Sequence, residues 1–328
     1  MHHVTNIFSV KTTADFEQSC LAVFRFQAAH CEVYKKYIAL LGLTPSQVCR
    51  VKDIPFLPIP FFKTQKVICS GKKPQIIFTS SGTTGAHPSR HLVADVGLYE
   101  KSFTEGFSLF YGPAEDYVIL ALLPSYLERQ GSSLVYMVEK LTAQSAQPDS
   151  GFYLHNFQEL YNHLQRLQQK GKKTLLIGVS YALLDFIEKY PLSFPELIVM
   201  ETGGMKGQRK ELPKQELHRI LREGFGVANI HSEYGMTELL SQAYSKGNGI
   251  FYAPPWMQIR IRDQRDPFVP VPCGTTGGVN IIDLANMYSC AFIETQDLGK
   301  QYADGSFEIA GRFAQGDLRG CNLLYGDI

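Results

Sequence analysis

Apolar positions at Phe16, Cys20, Phe24, Cys31, Tyr34, Ile38 and Leu41 fall on one face at helical spacing, which predicts an amphipathic N-terminal helical region. The prolines in 53–63 forbid helix and disfavour a central strand, so this stretch is expected to run extended across a surface with its aromatics exposed. Short apolar runs at 75–79, 117–123, 174–179, 197–200 and 227–230 then alternate with helical patterns at 93–110, 131–142, 155–170, 181–190 and 209–224. That alternation predicts an α/β layer architecture. After about residue 245 the period changes. Met257, Ile259 and Ile261 alternate with Gln258, Arg260 and Arg262, glycine-rich turns follow, and 290–294 and 306–309 read as strands. The expected organisation is a helical region with an extended connector over 1–74, part of the main domain. An α/β core follows over 75–245, then a β-rich subdomain and tail over 246–328.

The chain has 328 residues, 45% of them apolar, enough for a large core. A formal charge of +1 without long runs of either sign gives no electrostatic ground for nucleic acid or an anionic membrane. Seven irregularly spaced cysteines, with no C-x-x-C pair, suggest neither a zinc site nor a redox couple and fit a reducing compartment. No segment has the length and apolarity of a membrane span, and no leader pattern opens the chain; a cytoplasmic location is expected.

The run 75–79 leads into Ser80, Ser81, Gly82, Thr83, Thr84 and Gly85. Glycines allow a tight turn, and hydroxyls with amide N–H groups can surround phosphate oxygens. A Walker loop would carry a lysine that is missing here. Arg90 and His91 are the nearest cations. Taken alone, the cluster reads equally as a polar surface turn. Further along, Tyr234-Gly235-Met236-Thr237-Glu238 offers a flat ring, a hydroxyl and a carboxylate, the parts that a base, a phosphate and a hard cation require. His87, His91 and His231 lack the spacing of a zinc site and read as polar lining.

The two segments together resemble the signatures of the adenylate-forming, acyl-activating superfamily. That resemblance implies ATP and Mg2+ as cofactors: the loop from Ser80 to Gly85 and Thr237 at the phosphates, Tyr234 against adenine, and Glu238 on the metal. Gly203 and Gly204 resemble the glycines beside adenine, Asp297 resembles the ribose-binding aspartate, and Arg312 follows the hinge-like Gly311. Within the superfamily the chain is most similar to the acyl-protein synthetases of the bacterial luminescence fatty-acid reductase system, from about residue 30 to the end. The similarity is carried by Ile54-Pro55-Phe56-Leu57-Pro58, Leu123-Pro124-Ser125-Tyr126-Leu127-Glu128-Arg129, Ser132-Ser133-Leu134 and Leu318-Arg319-Gly320-Cys321. It implies activation of a carboxylic acid, in particular a fatty acid, and transfer of the acyl group to Cys321. It also implies an acyl-accepting protein or reductase as partner. By itself a free cysteine reads as a small buried hydrophobe. Tyr126 and Arg129, with Arg90, are candidates for orienting the substrate carboxylate; Tyr126 and Arg129 read equally as surface-loop residues.

Only sixteen residues follow Arg312, so the sequence predicts that the small C-terminal domain usual in the superfamily, with its lysine, is lacking. Two other readings stay open: an acid–CoA ligase resembling phenylacetate–CoA ligases, which would not need Cys321, and a non-catalytic nucleotide-binding scaffold.

Overall fold

A computed structural model of the chain describes residues 6–80, 88–124, 131–205 and 208–313. Its helices are α1 (Thr13–His30), α2 (Glu32–Leu40), α3 (Phe61–Thr64), α4 (Val96–Tyr111), α5 (Ser133–Ser145), α6 (Phe157–Gln169), α7 (Ser180–Lys189) and α8 (Lys214–Phe225). The strands up to residue 202 are β1 (Leu57–Pro58), β2 (Ile76–Thr79), β3 (Arg90–Val93), β4 (Val118–Leu122), β5 (Gly151–Tyr153), β6 (Thr174–Val179) and β7 (Ile198–Thr202). Beyond it come β8 (Ile230–Tyr234), β9 (Ala243–Ser245), β10 (Met257–Arg262), β11 (Thr276–Asp283), β12 (Phe292–Gln301) and β13 (Phe307–Arg312).

The α/β expectation is met by a six-stranded sheet in the order β5-β4-β6-β7-β8-β9, parallel except for β9. Every residue of β4 and β6 is buried, as a parallel strand covered on both faces requires. The chain steps outward from β4 to β5 and then crosses to β6 on the other side. With right-handed crossovers this reversal places α5 on one face and α7 and α8 on the opposite face. Thr12 starts α1 with a capping box, its hydroxyl accepting from Asp15 N while the Asp15 carboxylate accepts from Thr12 N. Gly226 ends α8 with φ 63°, and a Cβ there would lie 2.7 Å from Ser193 Cα, so only glycine fits. This exit moves a strand: Val227 N still bonds back to Arg222 O, and β8 begins at Ile230 instead of occupying 227–230.

In the β-rich sheet β10, β11 and β12 run antiparallel, with Met257, Ile259 and Ile261 buried as their alternation predicts. Strand β1 joins this sheet in parallel to β12, pairing Leu57 with Ile293, so the sheet draws on segments far apart in the chain. Pro58 is tolerated because β1 is a two-residue strand at the edge. The expectation of exposed aromatics in 53–63 is corrected. Phe62 is fully buried against His91, with ring centroids 5.8 Å apart, and Phe56 and Phe61 are half-buried on the core. Pairing of β1 pulls this stretch inward. Helix α1 docks here too: buried Gln27 donates to the carbonyls of Asn286 and Met287 and accepts from Ala291 N.

Candidate active site

Strands β2 and β3 form an antiparallel hairpin whose tip carries the hydroxyl-rich loop. Its base is closed twice, by Ser80 N donating to Ser89 O at 3.1 Å and Ser89 N donating to Ser80 Oγ at 2.9 Å. Ser81, Gly82, Thr83, Thr84, Gly85, Tyr126, Arg129 and Cys321 lie outside the described residues. Arg90 is exposed on β3.

The segment after β8 meets this hairpin directly. His91, buried on β3, donates from Nδ1 to the Thr237 carbonyl at 2.8 Å, and its Nε2 lies 2.9 Å from Asn286 Oδ1. Asn286 Nδ2 in turn donates to the Glu238 carbonyl at 2.7 Å. The Ser89 hydroxyl stands close enough to the Glu238 carboxyl to favour its charged form. Asp283, at the end of β11, accepts from Leu240 N, Ser241 N and Ser241 Oγ, fixing the next residues. Strand β3 and the segment after β8, 146 residues apart at His91 and Thr237, are therefore in contact.

Burial sets the electrostatics of this brace. Removal of water pushes the His91 imidazole down to about 4, outweighing the two oxygen acceptors that favour its charged form. The same effect raises the Glu238 carboxyl above its ordinary range, against the Ser89 hydroxyl. Glu238 is 5% exposed, and no ion pair to its carboxyl is formed among the described residues. Asp283, also fully buried, is raised for the same reason despite its donors.

Across from the brace, Tyr234 donates to Asp297 Oδ2 at 2.7 Å, and Arg312 Nε donates to Asp297 Oδ1 at 3.1 Å. Register places Asp297 opposite Arg312 on β12 and β13. The Tyr234 ring packs edge-on against Phe251 and Phe307. Gly203, with φ 69°, and Gly204 follow the carboxyl end of β7. Beside them Glu201 is buried, and desolvation would raise it. Lys214 Nζ at 2.8 Å, with His218 and Ser232, instead brings it down to about 2. Glu233 takes the opposite course: burial pushes it up to about 7, opposed by the Thr202 hydroxyl that it accepts at 2.5 Å.

Thus the structure joins Tyr234, Asp297 and Arg312 directly, and it links the hairpin that carries Ser80 to the Thr237–Glu238 segment through His91 and Asn286. Sequence reading passed over Ser89, Asp283 and Asn286 and reduced His91 to lining; Glu233, adjoining Tyr234, went unremarked. Only its position beside the motif could have flagged it. Among the described residues no helix is long and apolar enough to cross a membrane, and no cluster of three His, Cys, Asp or Glu could hold a metal.

Solved structures share the fold. ATP-bound MatB from Rhodopseudomonas palustris superposes with a TM-score of 0.56 at 19% identity over 72% of this chain and 47% of that one. An ATP-bound RpMatB-BxBclM chimera gives 0.57 at 19% identity, covering 74% and 48%. A 2-hydroxyisobutyryl-CoA ligase in complex with 2-HIB-AMP and CoA gives 0.70 at 13% identity, covering 94% and 73%. The chain spans about half the length of the MatB-type structures. No curated protein matches it in sequence. The family model for acyl-protein synthetase, LuxE, matches residues 11–327, reaching nearer the N-terminus than the motifs alone suggested. The chain belongs to the LuxE acyl-protein synthetase family.

Proposed function

We propose that this protein uses ATP and Mg2+ to activate a carboxylic acid, in particular a fatty acid, as an acyl-adenylate, and passes the acyl group to the thiol of Cys321. The observation that carries this reading is the contact between hairpin and motif, with His91 donating to the Thr237 carbonyl and the Ser89 hydroxyl beside the Glu238 carboxyl. It supports a phosphate role for the loop and a metal role for Glu238, because the base of that loop and the Tyr234–Glu238 segment share this brace. Ser80, Ser81, Gly82, Thr83, Thr84 and Gly85 are assigned to the phosphates with Thr237, Tyr234 with Gly203 and Gly204 to adenine, and Asp297 to the ribose next to Arg312. Arg90, Tyr126 and Arg129 are assigned to the substrate carboxylate.

A carboxylate is a poor electrophile. Its oxygen attacks the α-phosphorus, the bond to pyrophosphate breaks, and the resulting mixed anhydride is open to a thiolate. Glu238 would hold Mg2+, which when bound offsets charge on the phosphates. The Cys321 thiolate then attacks the acyl carbon, AMP leaves, and a thioester remains. The His91–Asn286 brace fixes the Thr237–Glu238 backbone through this sequence.

Purified protein given ATP, Mg2+ and labelled fatty acid is expected to retain label, and Cys321→Ala to retain none. Equal labelling of the variant would contradict the role of Cys321. A second reading, with coenzyme A as the accepting thiol, is favoured by the fold shared with a CoA ligase. Soluble acyl-CoA formed equally by parent and Cys321→Ala would select it.

A further inference from the structure

Strands β7 and β8 run parallel, and their register sets Glu201 opposite Ser232. Both side chains are buried, Glu201 at 3% exposure. Glu201 Oε1 accepts from Ser232 Oγ at 2.6 Å and from Lys214 Nζ at 2.8 Å, with His218 Nε2 at 3.4 Å. Glu201 Oε2 accepts from Ser180 Oγ at 3.2 Å. One carboxylate therefore joins β7, β8, the first residue of α7 and the first two turns of α8.

Two residues beyond Glu201 and Ser232 come groups assigned above to adenine. Gly203 follows Glu201 with φ 69°, and Tyr234 follows Ser232 on β8, where that spacing keeps both side chains on one side of the sheet. Each half of the base site is tied back to the carboxylate. The Ser180 hydroxyl that faces Glu201 is also 3.4 Å from the Gly203 carbonyl. Lys214 Nζ lies over the Phe251 ring, 4.8 Å from its centroid, and Phe251 packs edge-on against Tyr234 with ring centroids 5.9 Å apart.

A buried charged network is a poor source of stability, since apolar residues of the same volume commonly serve as well. What this one supplies is fixed geometry: a carboxylate only accepts, and both of its oxygens here are met by donors from set positions. We propose that Glu201 is a positioning residue for ATP, holding the Gly203–Gly204 turn and Tyr234 at the separation a purine ring requires, with Ser180 as its link to the turn. The proposal rests on the assignment of adenine to those residues. Glu201 acts through its neighbours and does not itself touch the nucleotide. Glu201→Gln turns one acceptor oxygen into an NH2 group that faces donors, so the network must rearrange.

The test is calorimetric titration of the full chain with ATP in the presence of Mg2+, beside the KM for the acid in pyrophosphate exchange. Ser180→Ala is expected to weaken ATP binding about fivefold or more, with a melting temperature within about 3 °C of the parent and a KM for the acid within about twofold. Glu201→Gln combined with Lys214→Met strands no charge and should fold. It should still bind ATP about tenfold or more weakly, which a role in stability alone would not produce. Ser180→Ala decides the matter if the double variant fails to fold. Parental ATP affinity in either variant, or an equal rise in the KM for the acid, overturns the proposal. A parent that binds ATP but exchanges pyrophosphate with no acid removes the acid-activating reading and leaves the titration to decide this one. A parent that binds no ATP overturns both.

Discussion

Tyr234 and Asp297, 63 residues apart in the chain, meet through a 2.7 Å hydrogen bond that ties the end of the parallel sheet to the β-rich sheet. Asp297 is nearly buried, whereas the Arg312 side chain on its other oxygen is 78% exposed. Asp297→Ala leaves the Tyr234 hydroxyl buried without its acceptor, a loss of roughly 1–3 kcal/mol of stability. A rise of about tenfold in the KM for ATP should accompany it if Asp297 holds the ribose. Arg312→Ala, at an exposed pair, is expected to change unfolding free energy by about 0.5 kcal/mol or less. Denaturant unfolding and ATP titration separate the two effects.

Glu238 is buried with its carboxyl raised, so a cation bound there competes with a proton. The apparent affinity for Mg2+ should therefore strengthen as pH rises through the range in which this carboxyl ionises. Glu238→Gln should abolish that dependence and lower turnover by about two orders of magnitude or more. Its melting temperature is expected to hold or rise, because a neutral amide costs less to bury than a carboxylate. Initial rates against Mg2+ concentration at several pH values provide the check.

The parallel strands were legible because burial on both faces writes itself as continuous apolar runs, as in β4 and β6. The β10 strand was legible for the opposite reason, its strict alternation. Short elements were not: β3 is four residues, Arg90 to Val93, and β1 contains a proline. Tyr234, Glu238 and Asp297 could be singled out because they sit in recognisable local segments. His91, Asn286 and Asp283 act through contacts across 42 to 195 residues of chain, and no local pattern records those meetings.

Two buried groups titrate with opposite sign. His91 is held down to about 4, so the unfolded chain binds its proton first and stability is lost as pH falls from about 6.5 to 4. Glu233 is raised to about 7, so its contribution is present below about 4.3 and is lost as pH climbs towards 7. Relative to the parent, His91→Asn should be penalised most above about pH 6.5, with the gap shrinking by up to about 3 kcal/mol towards pH 4. Glu233→Gln should gain on the parent as pH rises from about 4.5 to 7. Urea unfolding of each variant beside the parent across this range cancels the other titrating groups.

Lys214 neutralises a carboxylate that is otherwise enclosed, at 2.8 Å from Glu201 Oε1. Replacement by Met strands that charge. The expected loss is about 3 kcal/mol, the lower end for a buried pair because the lysine side chain is itself a third exposed. Lys214→Met with Glu201→Gln should recover most of the stability, which thermal unfolding of the two variants would reveal.

The most direct measurement is acid-dependent exchange of labelled pyrophosphate into ATP by the purified protein, read across a panel of fatty and hydroxy-fatty acids with Mg2+ present. Exchange that requires an added acid, and that falls by about two orders of magnitude in Glu238→Gln, is the expected result. ATP binding without exchange for any acid in the panel would contradict adenylate formation and leave a nucleotide-binding scaffold in its place.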